Sequence, residues 1–263
     1  MRGAISARLL VGLSMAALAA SQAQAQVVTD IAPDTTPGFD TGTVVSTSGS
    51  ETQISGGELS GTNLFHSFAE FDLGNGDTAT WVRGAADADT ITNVINRVRS
   101  GSASNIDGTL AMADMPNADF WFINPAGVVF GDGASVQVPN AAYFSTAHEI
   151  GFGGGQRFST VTPDGSTFSS APPQAFGFLG GQANLALLGT FATDGGSAQP
   201  AEVTFVAANI GVDAIVEGDG TQFSFAAVGS DAAALALADL AQPTGSGFIE
   251  LMPSALVFAD GAR

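Results

Sequence analysis

Residues 105–146 read NIDGTLAMADMPNADFWFINPAGVVFGDGASVQVPNAAYFST, a series of short apolar runs separated by turn residues. Two Asp-Gly dipeptides in this stretch are typical turn formers. Asn124 and Pro125 follow the run FWFI, and proline fixes φ and lacks an amide donor, so this position predicts a corner between strands. Apolar runs this short do not make stable helices, and they predict short β-strands.

The composition agrees with a chain of many strands and many turns. The 263 residues include 34 Gly, no Cys and no Lys, and 45% are hydrophobic. Glycine at this frequency without a triplet period excludes collagen, and the hydrophobic content argues against general disorder. The length suffices for one large domain with a substantial core. We therefore expect an all-β protein.

The arrangement of the strands is less constrained by the residues alone. Short apolar segments with Gly, Asn, Asp and Pro corners are typical of a β-solenoid and also of a β-sandwich. The sequence shows no strict repeat length, so this pattern leaves both architectures open.

Residues 1–25 have the features of a signal peptide. Arg2 and Arg8 form a positive n-region, residues 9–20 form an apolar h-region, and residues 23–25 read Ala-Gln-Ala, a typical cleavage site. The apolar run is shorter than the about 20 residues that a membrane helix needs. We expect cleavage before Gln26, a mature chain without an integral membrane segment, and export through the Sec translocon.

The charge of the predicted mature chain is strongly negative. Five Arg stand against 25 Asp and Glu, which gives a net charge of −20 with His neutral. Such a charge disfavours nucleic acid and anionic lipid as partners. The acidic residues are scattered and form no D-x-D-x-D-G loop, so they favour solubility over bound Ca²⁺. We expect no cofactor, no metal ion and no nucleic acid.

Several ordered sequence blocks resemble the secretion domain of filamentous hemagglutinin-like exoproteins, which leave the cell by two-partner secretion (TPS). The resemblance runs from about residue 36 to 230. Its blocks are NLFHSF at 63–68 with the continuation AEFDLGNGDTATW, INRV at 95–98, IDG and NADFWF followed by INPAGVVFG and STA, PPQAFGFLG at 172–180, and VTFVAANIGV at 203–212.

The resemblance implies a right-handed parallel β-helix, a solenoid, with an N-terminal β cap and small extra-helical β or loop excursions. It divides the chain into a signal peptide at 1–25, a linker and cap strand at 26–50, and the TPS β-helix domain at 51–263. In such a fold each coil stacks on the one before it, and turn residues occupy the corners.

The resemblance also implies a function in secretion. The domain would be recognised in the periplasm by an outer-membrane transporter, a TpsB-type barrel with periplasmic domains. It would then move to the cell surface or the extracellular medium, where such exoproteins often serve adhesion. The implied recognition residues are Asn124, Pro125, Gly127, Asn63, Phe65 and His66. Ala126 stands where the family's NPNG motif has a second asparagine.

Two other functions are compatible with a β-helix. A carbohydrate-active enzyme would need a base or a carboxylate pair, and Asp114 and Asp119 are the nearest candidates, although nothing pairs them. A stand-alone surface adhesin or structural module would bind a ligand directly. We expect no enzymatic activity, since the chain has no Lys, two His and few Arg.

Local patterns give four further expectations. His66 is expected to be a structural histidine beside Phe65. Arg97 and Arg99 are expected on a solvated face or in ion pairs, with contact to an acidic partner as the alternative. Residues 149–170 are expected to form a glycine-rich loop excursion, after which 176–181 resumes the strand rhythm. Residues 231–240, DAAALALADL, favour a short helix or an irregular loop.

Overall fold

The computed structural model describes residues 26–84, 87–164, 166–193, 198–240 and 246–260. The predicted signal peptide lies outside the described residues. Twenty-three strands and three single-turn 3₁₀ helices occur in the described part. The strands are β1 Asp30–Pro33, β2 Thr43–Ser48, β3 Glu51–Gly56, β4 Glu58–Ser60, β5 Asn63–Asp72, β6 Thr78–Trp81, β7 Asn93–Val98, β8 Ser104–Ile106, β9 Thr109–Met112, β10 Asp119–Ile123, β11 Val128–Phe130, β12 Ala134–Gln137, β13 Ala141–Ser145, β14 Glu149–Phe152, β15 Arg157–Ser159, β16 Pro173–Leu179, β17 Leu185–Ala192, β18 Glu202–Ala207, β19 Ile210–Asp219, β20 Gln222–Ala227, β21 Ala232–Ala236, β22 Ile249–Leu251 and β23 Leu256–Asp260. The 3₁₀ turns are Ala88–Thr90, Gly153–Gly155 and Leu237–Asp239.

The strands form three sheets in the described residues. The covered sheet has the order β1-β5-β7-β10-β13-β18-β20, with β4 beside β5. The open sheet contains β2, β3, β6, β8, β9, β11, β12, β17, β19, β22 and β23. The excursion sheet has the order β15-β14-β16-β21 and is antiparallel throughout.

Successive coils of the chain stack in parallel along the covered sheet. The aligned pairs are Asn63 with Asn93, Asn93 with Asp119, Phe120 with Ala142, Ala141 with Glu202, and Glu202 with Gln222. These pairs are separated by 30, 26, 22, 61 and 20 residues, so the coils differ in length and no strict repeat exists in the sequence. The fold is the all-β parallel β-helix that the resemblance implies.

The open sheet provides the remaining walls of the coil. In the earlier coils two short strands with a corner between them form these walls, whereas β17 is a single long strand that pairs with β11 at Leu185 and with β12 at Phe191. Along strands β12 and β19, buried and half-buried residues alternate. This pattern is expected of a sheet that has one face toward the core and the other toward solvent.

Antiparallel strands lie at the N-terminal end of both parallel sheets. Within residues 26–50, where a cap strand is expected, β2 pairs antiparallel with β3, and β1 pairs antiparallel with β5. These strands occupy the edge at which an uncovered first coil would present free backbone groups.

Aromatic side chains stack along the inside of the coil. Phe122, Phe144, Phe205 and Phe225 follow one another on adjacent strands, with ring centroids 6.2, 5.9 and 5.1 Å apart. Trp81 packs edge-on against Phe120 at 4.8 Å and is fully buried. The regular stacking supplies the cohesion of a chain that has no disulfide.

The excursion differs from the expectations in three places. Residues 149–159 form the hairpin β14–β15 in place of a loop, and the strand at 176–179 belongs to the excursion sheet and not to the coil. The segment DAAALALADL was predicted as a helix or irregular loop, which is wrong for its five residues Ala232–Ala236, because β21 pairs with β16 and aligns Leu235 with Phe176. Burial of Leu235 in a sheet outweighs the helix propensity of alanine.

The excursion sheet covers the outer face of the covered sheet. A second hydrophobic cluster lies between them, in which Phe65, Ile95 and Trp121 from the coil contact Phe158 and Phe176 from the excursion. The centre of the covered sheet is therefore buried on both faces, whereas its edge strands β1, β4 and β20 keep exposed residues. All six residues of β7 are buried, including its asparagines and Arg97.

Candidate functional site

The corner after β10 is built by the side chain of Asn124. Its Nδ2 donates to the Ser102 carbonyl oxygen at 2.9 Å and to Ser104 Oγ at 3.0 Å. Its Oδ1 accepts from the Ala126 amide at 3.0 Å, which closes a turn over Pro125. Asn124 is completely buried, so this side chain is fully engaged within the protein.

Gly127 completes the corner through its backbone conformation. Its φ of +126° lies in a region that side chains rarely adopt, and a Cβ atom there would lie 3.1 Å from Cβ of Ala103. The Gly127 amide donates to the Asn124 carbonyl oxygen at 3.0 Å. The corner closes without a polar side chain at Ala126, which explains why alanine is tolerated at this position.

Asn63 begins β5 and holds the base of the excursion. Its Nδ2 donates to the carbonyl oxygens of Ser169 at 2.8 Å and Ala171 at 2.7 Å. Its Oδ1 accepts from Nδ2 of Asn93 at 2.9 Å. In turn, Asn93 Oδ1 accepts from Nε1 of Trp121 at 3.0 Å. This relay joins three adjacent strands to the returning end of the excursion.

The next motif residues point to opposite sides of the covered sheet. Phe65 faces outward and contacts the rings of Phe152, Phe158 and Phe168 at 6.0, 4.9 and 5.4 Å. His66 faces the interior, and its Nδ1 lies 3.1 Å from Thr43 Oγ1 on β2. Burial lowers the pKa of His66 to about 3, with a further contribution from the charge of Arg83. His66 is buried and structural as expected, but it does not pack beside Phe65: its ring lies on the other face of the sheet, stacked on Phe68 with ring centroids 6.3 Å apart.

The structure does not bring the six predicted recognition residues together. Asn63 aligns through Asn93 with Asp119 at the first residue of β10, whereas Asn124 follows the last residue of that strand. The two motifs therefore lie at opposite ends of the strands. Five of the six residues are buried, and Pro125 is half-buried.

Sequence reasoning did not find the environment of Arg97. A solvated face is wrong for this residue, because its side chain is completely buried, whereas Arg99 forms the expected ion pair, with Asp34 at 2.7 Å. The signal available in the sequence was that Arg97 lies two residues after Ile95, on the same face of a strand whose other face carries Val94 and Val98.

The two carboxylates considered for catalysis have other contacts. Asp114 accepts from the backbone amides of Arg83 and Gly84, the latter at 2.6 Å. Asp119 accepts from the Ala141 amide at 3.2 Å, and burial followed by the charge of Glu202 raises its pKa. In the part of the chain that the structure describes, no group of three or more His, Cys, Asp or Glu side chains is placed to hold a metal ion. No helix among these residues is long and apolar enough to span a membrane.

These features define a class of protein: a cysteine-free parallel β-helix whose motif residues close corners and hold a covering sheet. The comparisons give the family. A family model described as TPS secretion domain matches residues 29–252, and the chain belongs to that family. It is the secretion-signal domain of a two-partner-secretion exoprotein, and it is an exported protein. The family consists of secretion domains and not of enzymes.

One solved structure gives the same fold. The filamentous hemagglutinin secretion domain is similar with a TM-score of 0.59 and 14% identity over 86% of this chain and 75% of that one. The HMW1 secretion domain from Haemophilus influenzae is similar with a TM-score of 0.49 and 15% identity over 90% of this chain, which spans about half, 54%, of that structure. No curated protein matches the sequence.

Proposed function

We propose that an outer-membrane TpsB-type transporter recognises this domain through its periplasmic domains before the β-helix folds. The domain then crosses the outer membrane and folds at the cell surface or outside the cell. Residues 1–25 direct the preceding step through the Sec translocon and are removed before Gln26. Asn63, Phe65, His66, Asn124, Pro125 and Gly127 are the proposed recognition residues.

The burial of the motifs supports recognition before folding. Asn63, Phe65 and Asn124 have no exposed surface in the folded domain, and His66 is 1% exposed. A partner cannot contact such side chains without opening the sheet. If the transporter contacts these residues, it does so while the chain is extended, and folding then withdraws them.

Surface charge supports a cationic surface on the partner. The four described arginines are engaged inside the protein or in ion pairs: Arg83 with Asp87, Arg99 with Asp34, Arg157 with Glu149, and Arg97 in the buried contacts with carbonyl and hydroxyl groups. Most acidic residues in the part of the chain that the structure describes therefore have no basic partner there. Complementary charge on the transporter would raise the association rate at low salt.

Delayed addition of the partner tests recognition before folding. The mature chain is diluted from denaturant, and purified periplasmic domains of the transporter are added after increasing delays. Folding is followed by the fluorescence of Trp81 and Trp121, both of which become buried. We expect the captured fraction to fall with the rate constant of folding, because folding hides the motifs.

Equal affinity for the folded and the freshly diluted chain would overturn the proposal. Absence of capture at every delay, at both low and moderate salt, would remove this transporter as the partner. As a matched control, Asn209→Ala alters an asparagine at a corner outside the two motifs and is expected to leave capture of the early chain unchanged.

The proposed processing and final role have direct readouts. Mass spectrometry of the exported protein is expected to find an N-terminus near Gln26, and an intact Met1 in the exported fraction would contradict the signal peptide. For adhesion, a strain that lacks the protein is expected to attach less well to surfaces or cells. Unchanged attachment would remove adhesion from the proposal and leave secretion untouched.

A further inference from the structure

Arg97 joins three parts of the chain that are distant in sequence. Its Nε donates to Ser67 Oγ on β5 at 2.9 Å, and one terminal nitrogen donates to the Phe39 carbonyl oxygen at 2.7 Å. The other terminal nitrogen donates to the Ser159 carbonyl oxygen at 2.5 Å and to Ser166 Oγ at 3.2 Å. The N-terminal segment, the coil and the excursion thus meet at one guanidinium group.

The Arg97 guanidinium is buried, and no carboxylate among the described residues forms a salt bridge with it. Its side chain has no exposed surface. The rings of Phe158 and Phe39 lie 4.0 and 4.9 Å from its Cζ atom and contribute cation–π attraction. Burial lowers the pKa of Arg97 to about 9, so the guanidinium is charged at neutral pH.

Arg99 makes a second connection between the same segments. Its terminal nitrogen donates to Asp34 at 2.7 Å, its Nε donates to the Thr160 carbonyl oxygen at 2.8 Å, and its Cζ lies 3.3 Å from the centroid of Phe39. Both arginines therefore bind residues 34–39 on one side and residues 159–160 on the other. The hydrogen-bond acceptors of the two arginines are thus divided between the N-terminal segment and the excursion, and both must be in place to complete the set.

The acceptors lie on both sides of Arg97 in the sequence, so a chain that folds from its N-terminus meets them at different times. Phe39 precedes Arg97 by 58 residues, and Ser159 follows it by 62 residues. Until the excursion arrives, burial of Arg97 would leave a charged group without two of its four hydrogen bonds. An unpaired buried charge is strongly unfavourable, so the side chain stays in solvent and the N-terminal segment stays loose.

We propose that Arg97, with Arg99, is a lock that couples closure of the N-terminal segment 34–43 to arrival of the excursion. The lock delays completion of the N-terminal end until residues near 166 are available. The role of the lock during export rests on the proposed function. The coupling between the N-terminal segment and the excursion does not, because it is a property of the folding chain. During export the lock keeps the first motif, on β5, accessible for longer.

Pulse-labelling hydrogen exchange during refolding of the full mature chain tests the lock. Amides of residues 34, 39 and 40 report on the N-terminal segment, since each donates a backbone hydrogen bond. Amides of residues 160 and 167 report on the excursion. We expect protection of the two groups to rise with one rate constant, after protection of the coil strands β10 and β13.

Variants separate the lock from general destabilisation. Arg97→Lys keeps the charge and loses the planar fork, and we expect it to slow protection of both groups about tenfold while β10 and β13 change by less than about twofold. Arg83→Lys, at a surface pair with Asp87, is the matched control and is expected to change neither group. If Arg97→Lys does not fold, Arg99→Lys provides the same comparison at a partly exposed site.

Protection of residues 34–40 clearly before the excursion in the wild-type chain would overturn the lock. So would a variant that slows only one of the two groups. Neither outcome depends on the transporter, so failure of partner capture would remove the proposed recognition and leave the refolding result standing.

Discussion

The covered sheet and the open sheet belong to the same coil, yet they differ in what lies outside them. In the covered sheet, β7 is buried at all six positions, while in the open sheet, β19 alternates buried and half-buried residues. The excursion sheet accounts for the difference, because it packs on the outer face of the covered sheet alone. Coil stacking therefore fixes the interior, and the excursion decides which outer face becomes a second core.

Four of the family blocks follow this division, whereas others, such as TATW on β6 and GVVFG on β11, lie on the open sheet. NLFHSF lies on β5, INRV on β7, NADFWF on β10 and PPQAFGFLG on β16, which are strands of the covered sheet or of its cover. Some of their polar residues join the two sheets: Asn63 donates to the carbonyl oxygens of Ser169 and Ala171, and Asn93 links Asn63 to Trp121. The family motifs thus include residues that attach the excursion to the coil.

A matched pair of isoleucines measures the contrast directly. Ile95 points outward from the covered sheet and is completely buried, whereas Ile215 points outward from the open sheet and is half-buried. We expect Ile95→Ala to lower the free energy of unfolding by about 2–5 kcal/mol and Ile215→Ala by about 1 kcal/mol or less. Urea unfolding of both variants provides the measurement, and equal losses would show that the excursion adds no second core.

Acid should weaken the covered sheet through His66. Its folded pKa of about 3 lies below the ordinary 6.5, so between these values the unfolded chain binds a proton that the folded protein does not. Stability is therefore complete above pH 6.5 and falls as the pH decreases, by about 1.4 kcal/mol per pH unit and about 2 kcal/mol at pH 5.

Two histidine variants isolate this effect. His66→Gln is expected to flatten the dependence of the unfolding midpoint on pH between 5 and 7. His148, at the base of the excursion, also has a pKa lowered by burial, but it is more exposed, and His148→Gln is expected to change the slope less. An unchanged slope in His66→Gln would assign the acid sensitivity to other groups.

The sequence predicted the strands, the corner at Pro125 and the structural role of His66, because these depend on local pattern and turn chemistry. It implied small β or loop excursions but not the four-stranded excursion sheet, because β16 pairs with β21 and aligns Phe176 with Leu235, which lies 59 residues later in the chain. The burial of Arg97 was missed for the same reason, since its acceptors lie 58 and 62 residues away. Long-range packing, and not local propensity, determined these features.

The smallest expected effect concerns Asn124, at the edge of the covered sheet. Asn124→Ala removes the hydrogen bonds to Ser102, Ser104 and Ala126, while Pro125 and Gly127 keep the corner in place. We expect a loss of about 1–2 kcal/mol in unfolding free energy. The control Asn209→Ala removes bonds at an exposed corner and is expected to lose less, because water replaces them.

Stability and recognition must be measured separately for this variant, since a slower fold would lengthen the time during which the chain can be captured. If Asn124 is read by the transporter, capture of the unfolded Asn124→Ala chain falls even though its motif stays accessible for longer. If Asn124 only builds the corner, the unfolded variant binds as the wild type does and the folded variant unfolds more readily. The second outcome would make Asn124 a structural residue. The covered and open sheets would then differ only in the packing of their outer faces, and not in carrying a residue that the transporter binds.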